Sequence, residues 1–274
     1  MNMEIKPIAY FRSPFPEKFG IPRQAGLAPA LRGRIVFEPE YRSAEALRGL
    51  EGFDYLWLIW EFSANRLASA SSGGSTASLR SAPPLASQSE APVPPLTVPR
   101  VAWVEPARLA EAVAFQATVR PPRLGGNKRV GVFASRSPFR PNPLGLSSVR
   151  LESIDYEAKG PDGKPIGPVI NVLGADLMDG TPIYDIKPYV EYADSHPGAR
   201  SGFTESSPWE TLEVVIPDGV DTSGVDVESL RDILSLDPRP SYHNDPSKEY
   251  GMSFGGREVR FRVVDKVLTV ISIS

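Results

Sequence analysis

The chain has no cysteine and only two histidines, His196 and His243, in 274 residues. Without thiols there is no disulfide framework, no zinc–thiolate site and no cysteine nucleophile. The two histidines stand too far apart for an HExxH helix, so no metal site is expected. Long apolar runs are missing too; nothing approaches the roughly 20 residues of a membrane span. The N-terminus, MNMEIKPIAYF, has no cationic stretch leading into an apolar one, so a cytoplasmic protein without a membrane partner is expected. The fingerprints GxGxxG and GxxxxGK[ST] do not occur, which argues against the usual dinucleotide and P-loop folds.

What is present is distributed unevenly. The net charge is −3, yet Arg120 to Arg150 holds seven basic residues and no acidic one: Arg120, Arg123, Lys128, Arg129, Arg136, Arg140 and Arg150. A local basic field on an acidic chain suggests an anionic partner met at one face. In residues 68–99, Ser, Ala and Pro fill 20 of 32 positions. Such a composition cannot offset its own ordering entropy, so a disordered insertion is expected there.

Elsewhere the pattern is of short strands. IKPIAYF, RGRIVF, FDYLWLIWEF, RVGVFAS, LSSVRLESIDYE and PVINVLGADL are β-branched or aromatic runs bounded by Gly, Pro and charged residues. Ser43 is placed to cap a short helix over SAEALRGL, and RLAEAVAFQ reads as helix or strand. Together these predict a mainly β protein with a closed or sandwich-like first unit. Residues 193–210 are polar and loop-like. Beyond them a smaller α+β unit is predicted from the strand TLEVVIP, the helix DVESLRDILSL and the hairpin REVRFRVVDKVLTVISI.

Four segments carry more chemistry than a turn requires: GIPRQAG (20–26), EFSAN (61–65), SRSPFRPNP (135–143) and LMDGTPIYDIKPY (177–189). Pro138, Pro141 and Pro143 forbid a helix between Arg136 and Arg140. A stiff loop displaying guanidinium groups suits a carboxylate or a phosphate held in one orientation. In the last segment Asp179, Thr181, Asp185 and Lys187 gather around one turn after the most apolar strand, as in sites carried by loops on rigid elements.

PRQAG, VRPPRLGGN (119–127), GVFASRSPFRPNPLGLS (131–147), DGTPIYDIKPY (179–189) and DPRPSY (237–242) together resemble the TrmO family, also called TsaA- or YaeB-like. The resemblance runs from about residue 5 to the C-terminus, interrupted by an insertion at 66–99. It implies a TsaA-like β-barrel methyltransferase domain of non-Rossmann type over 1–192, a small C-terminal domain over 193–274 and a homodimer. It also implies the cofactor S-adenosyl-L-methionine, and an acceptor at N6 of threonylcarbamoyladenosine in a tRNA anticodon loop. The cofactor-binding positions it implies are Pro22, Arg23, Gln24, Ser63, Ala64, Arg136, Leu146, Met178, Asp179, Gly180, Thr181 and Pro182. Relatives carry a histidine-containing pair where this chain has Ser63-Ala64. Arg120, Arg123, Lys128, Arg129 and Arg140 are the expected RNA contacts. A carboxylate near the methyl group would serve as base; Asp179 is the first choice and Asp185 the second, and either would equally suit the cofactor's amino group or ribose.

Overall fold

Strand β1 (Ala9–Arg12) and strand β2 (Arg32–Phe37) begin the computed structural model, which describes residues 4–63, 115–124, 128–205, 210–240 and 245–274. Four further strands join them: β3 (Tyr55–Glu61), β6 (Leu144–Asp155), β7 (Val169–Leu173) and β8 (Pro182–Pro188). The six hydrogen-bond in the closed order β1-β2-β7-β6-β3-β8, a barrel in which every pairing is antiparallel. Period-two alternation fills it: Ala9 and Phe11, Ile35 and Phe37, and Leu56, Leu58 and Trp60 point inward, while Val172 and Ile183 complete the core. Between β3 and β6 in the chain, β4 (Thr118–Val119) and β5 (Val130–Gly131) pair as a separate two-stranded ribbon.

The second sheet has the order β10-β11-β12-β9, from β10 (Glu249–Phe254), β11 (Arg257–Val264), β12 (Val267–Ile273) and β9 (Glu213–Val215). A short helix α1 (Glu191–Asp194) precedes it, and helix α2 (Val227–Ser235) packs against its apolar face through Leu230, Ile233 and Leu234. The carboxylate of Asp226 caps α2 by accepting from the Ser229 N–H at 3.2 Å. All six ring strands precede residue 192 and all four strands of this sheet follow it. The cores do not divide there, because Phe15, Ala28 and Leu31 are buried in the second one. Phe15 meets Phe254 edge-to-face at 5.5 Å, and Ser229 Oγ donates to the Ala30 carbonyl.

Three expectations change. SAEALRGL is not an α-helix but two 3-10 turns, Ala44–Leu47 and Leu50–Gly52, and Ser43 makes no side-chain cap bond. Gly49 lies between them at φ +85° and only Leu47 is buried, so little packing supports a longer helix. RVGVFAS is strand only at Val130–Gly131 and then turns, which frees the loop behind it. Strands β8 and β10 were not anticipated; Tyr250, Met252 and Phe254 alternate inward on β10. Gly251-Met252-Ser253-Phe254-Gly255 matches the GxSxG hydrolase pattern, but Ser253 sits on β10 opposite Glu258, with no strand-to-helix elbow. Among the described residues no helix is long and apolar enough to cross a membrane.

The insertion at 66–99, Ala64, VAWV, most of RLAEAVAFQ, Gly125, Gly126 and the end of DPRPSY lie outside the described residues. The same holds for the Arg123 side chain.

Candidate functional site

Four loops meet at one mouth of the barrel. The first runs from β1 to β2 and carries Pro22, Arg23 and Gln24. It lies across the end of β7, with Gly26 N–H donating to the Gly174 carbonyl and Gly174 N–H to that of Leu31. The second leaves β3 at Glu61. The third is the proline-stiffened segment before β6. The fourth joins β7 to β8 and contains Asp176 to Thr181. Between them is a cavity of about 740 Å³, within the range of small-molecule sites.

The third loop shows why its sequence is so particular. Arg140 Nη1 donates to the carbonyls of Ser135 and Ser137 at 3.0 and 3.2 Å, so one guanidinium ties the loop to itself. The hydroxyl of Ser135 accepts from Ser137 N–H, and that of Ser137 from Phe139 N–H. Arg136 is thereby turned towards the first loop, where its Nη1 donates to Gln24 Oε1 at 2.7 Å. Both arginines line the cavity.

Pro22, Arg23, Gln24, Ser63, Arg136, Leu146, Met178 and Thr181 all line the cavity, together with Lys18, Trp60, Glu61, Phe62 and Asp176. Leu146, on β6, is 53% exposed, a large apolar side chain left for something to cover. Asp179, Gly180, Pro182 and Asp185 are not among the cavity residues. Asp179 faces the segment after β1: its Oδ1 accepts from Ser13 N–H at 3.1 Å and its Oδ2 lies 3.5 Å from Arg12 Nη1. Gly180 holds φ +75° beside it, the turn conformation that Asp-Gly supplies. This turn is zipped to residues 11–15, with Asp179 N–H on the Phe15 carbonyl and Gly180 N–H on that of Phe11. Asp185 pairs with Lys187 at 3.0 Å on β8. The two carboxylates that sequence reasoning ranked first for proton transfer therefore stand outside the cavity, held by their own partners. Among the expected RNA contacts, Arg129 donates to Thr118 Oγ1 on the β4–β5 ribbon, and Arg120 and Lys128 are exposed nearby.

Two other carboxylates do line the cavity: Glu61, which the sequence marks only as part of EFSAN, and Asp176, which sequence reasoning missed. Glu61 is buried and accepts from the Tyr184 hydroxyl. The β3–β8 ladder shifts register between Ile59 and Trp60, which leaves Tyr184 as the extra residue and aims it at Glu61. Asp176 Oδ1 accepts from Ser147 Oγ at 2.6 Å, and Ser147 in turn accepts from Trp60 Nε1 at 2.9 Å. Burial pushes the Asp176 carboxyl above the usual carboxylate range, against the bonds from Ser147 and the Ala25 N–H and the charge of Arg136. The signal was available in LGADLMDG, since an aspartate inside a buried-type run is rare unless partnered.

Residues 10–93 and 101–195 match the tRNA-methyltransferase O N-terminal domain family, and residues 223–274 match the TrmO C-terminal domain family. The tRNA (adenine(37)-N6)-methyltransferase of Escherichia coli K12 is 32% identical over 99% of this chain and 98% of its own. A Pseudomonas aeruginosa relative, provisionally named an S-adenosylmethionine-dependent methyltransferase, RcsF, is 34% identical over 95% of this chain and 93% of its own. A crystal structure of TrmO from P. aeruginosa superposes with a TM-score of 0.67 at 27% identity, covering 100% of this chain and 97% of that one.

Proposed function

This chain belongs to the tRNA-methyltransferase O family, and from that premise we propose that the cavity at the barrel mouth holds S-adenosyl-L-methionine against a tRNA anticodon loop. The protein is an S-adenosylmethionine-dependent tRNA methyltransferase acting on adenine N6. The observation that carries the site is convergence: side chains from four distant segments line one cavity, and they suit this cofactor. Ile21, Phe62, Leu144, Leu146 and Met178 offer apolar walls for the adenine and methylene groups. Arg136, steadied by Gln24, would meet the carboxylate, and Glu61 would face the positive amino group. Ser63 lines the cavity and offers a hydroxyl for hydrogen bonding there.

The acceptor in this reading is N6 of threonylcarbamoyladenosine, unpaired and therefore open to arginine and aromatic contacts. The basic ribbon of Arg120, Lys128 and Arg129 would take the phosphates. The reading includes two units, 1–192 and 193–274, a cytoplasmic location and a homodimer; Tyr192, at 92% exposure, offers apolar surface for a second subunit. Mass spectrometry of tRNA nucleosides from cells lacking the protein tests it. Loss of a methylated threonylcarbamoyladenosine is expected, and an unchanged nucleoside profile overturns the tRNA assignment. Light scattering of the purified protein checks the dimer.

A further inference from the structure

We propose that Asp176 takes the proton lost by the acceptor nitrogen, with Ser147 and Trp60 as the residues that position it. The inference rests on the functional reading above and deepens it. S-adenosylmethionine supplies a methyl group on a positively charged sulfur; as the N–C bond forms, the S–C bond breaks with its electron pair left on sulfur, and the nitrogen must shed its proton. That nitrogen is urea-like and weakly nucleophilic, so a carboxylate in the cavity has a defined task. Two carboxylates line the cavity; Glu61, bonded to the Tyr184 hydroxyl, is the one the functional reading gives to the cofactor's amino group, which leaves Asp176 for the acceptor.

The direction of the hydrogen bonds orders the chain of groups. An indole N–H can only donate. Trp60 therefore fixes a lone pair of Ser147, and the serine proton is left to point at Asp176 Oδ1. This arrangement holds the ionised carboxylate without handing it a proton. Burial works the other way and makes the carboxylate more basic than a solvated one. A base of raised proton affinity, oriented by Ser147 and the Ala25 N–H and lining the cavity, is what abstraction from a weak acid needs. The charged groups that share the cavity are Lys18, Arg23, Arg136, Arg140 and Glu61; of these Arg136 acts on Asp176 by its charge.

The test compares wild type, Asp176→Asn and Ser147→Ala. Single-turnover methyl transfer to threonylcarbamoyladenosine-containing tRNA is followed across pH, cofactor affinity is measured calorimetrically without tRNA, and the carboxyl infrared band of the cofactor-free protein is titrated. Asp176→Asn is expected to slow transfer by about 10²–10⁴-fold with cofactor affinity within about threefold, and to remove a carboxyl band that titrates above the ordinary aspartate range. Ser147→Ala removes a donor to the ionised form, so the acid limb of the rate profile and the infrared titration both move to higher pH. Transfer by Asp176→Asn within tenfold of wild type overturns the proposal. So does an equal loss of cofactor affinity, which would make Asp176 a cofactor ligand, or an unmoved acid limb in Ser147→Ala. If wild type transfers no methyl group to this tRNA, the functional reading fails and takes the proposal with it. An active wild type beside an active Asp176→Asn overturns the proposal alone.

Discussion

Gly145 faces Trp60 across the β3–β6 ladder, and the indole lies over its bare Cα. A Cβ added there would stand 2.2 Å from Cε2, 2.4 Å from Cζ2 and 2.6 Å from Cδ2 of Trp60. Ordinary carbon contacts are about 3.5–4.0 Å, so the ring must retreat by more than about 1 Å. Its retreat is opposed by the bond from Nε1 to Ser147 and by Phe62, whose ring centroid is 4.4 Å away. Overpacking of this kind costs about 1–3 kcal/mol, and losing the indole bond adds about 0.5–1.5 kcal/mol. Gly145→Ala is therefore expected to destabilise by about 2–4 kcal/mol, a fall of roughly 5–15 °C in Tm for a protein of this size. Urea denaturation and calorimetry measure it. Trp60→Leu removes the obstructing atoms, so in that background Gly145→Ala should cost under about 1 kcal/mol, a coupling that a double-mutant cycle reads directly. A cost below about 0.5 kcal/mol in wild type, or an undiminished cost in the Trp60→Leu background, would refute the contact as the cause.

Arg136→Ala should weaken cofactor binding by about 1.5–3 kcal/mol, with Arg136→Lys recovering only part; wild-type calorimetric affinity in the alanine variant would return Arg136 to a loop residue. Asp226→Ala should cost about 1 kcal/mol at pH 7 through the lost helix cap. Burial raises the Asp226 carboxyl, but the bonds from Ser229 and Arg32 outweigh it and hold the group below its ordinary value. Its contribution is thus present above the unfolded value of about 3.9 and lost as pH falls through the lower folded one, so wild type and variant should converge in strong acid. Asp176 has the opposite sign: a carboxyl raised on folding costs stability as pH climbs from about 3.9 through its folded value. Wild type should therefore lose ground to Asp176→Asn over that interval, and denaturation curves that stay parallel across pH would contradict it.

Much of the barrel was legible because alternation survives in the sequence. RGRIVF and YLWLIWE put every second residue inside, and PVINVLGADL announced a buried-type strand, in which Val169, Ile170 and Val172 are indeed buried. The loops were legible as unusual, since prolines around Arg136 and Arg140 left no helical option. What could not be read was direction. Asp179 belongs to a conspicuous Asp-Gly-Thr-Pro turn, yet its carboxylate points back to Ser13 and Arg12. Asp176 sits three residues earlier inside an apolar run and drew no notice, although it lines the cavity. Its partners Ser147 and Trp60 come from β6 and β3, far off in the chain and brought together only by ring closure. Arg140 is the milder case: sequence offers two equivalent guanidinium groups, and only the folded loop spends one of them on its own carbonyls. Strand β8 was hidden by the prolines at its two ends, which mark edges in sequence but here merely start and stop a ladder.

The sharing of Phe15, Ala28 and Leu31 with the second core has a consequence for the order of synthesis. The segment bearing Pro22, Arg23 and Gln24 is made early, yet the side chains packed against its two ends, Phe254 and those of α2, are made long after it. Translation at about 5–20 residues per second separates the two events by tens of seconds. A nascent barrel closing its ring by residue 188 would tie the backbone of this segment to Gly174 and Asp179, but the side chains of Phe15, Ala28 and Leu31 would still lack the core that buries them. The cavity wall would gain its buried support only once α2 and the second sheet had been made.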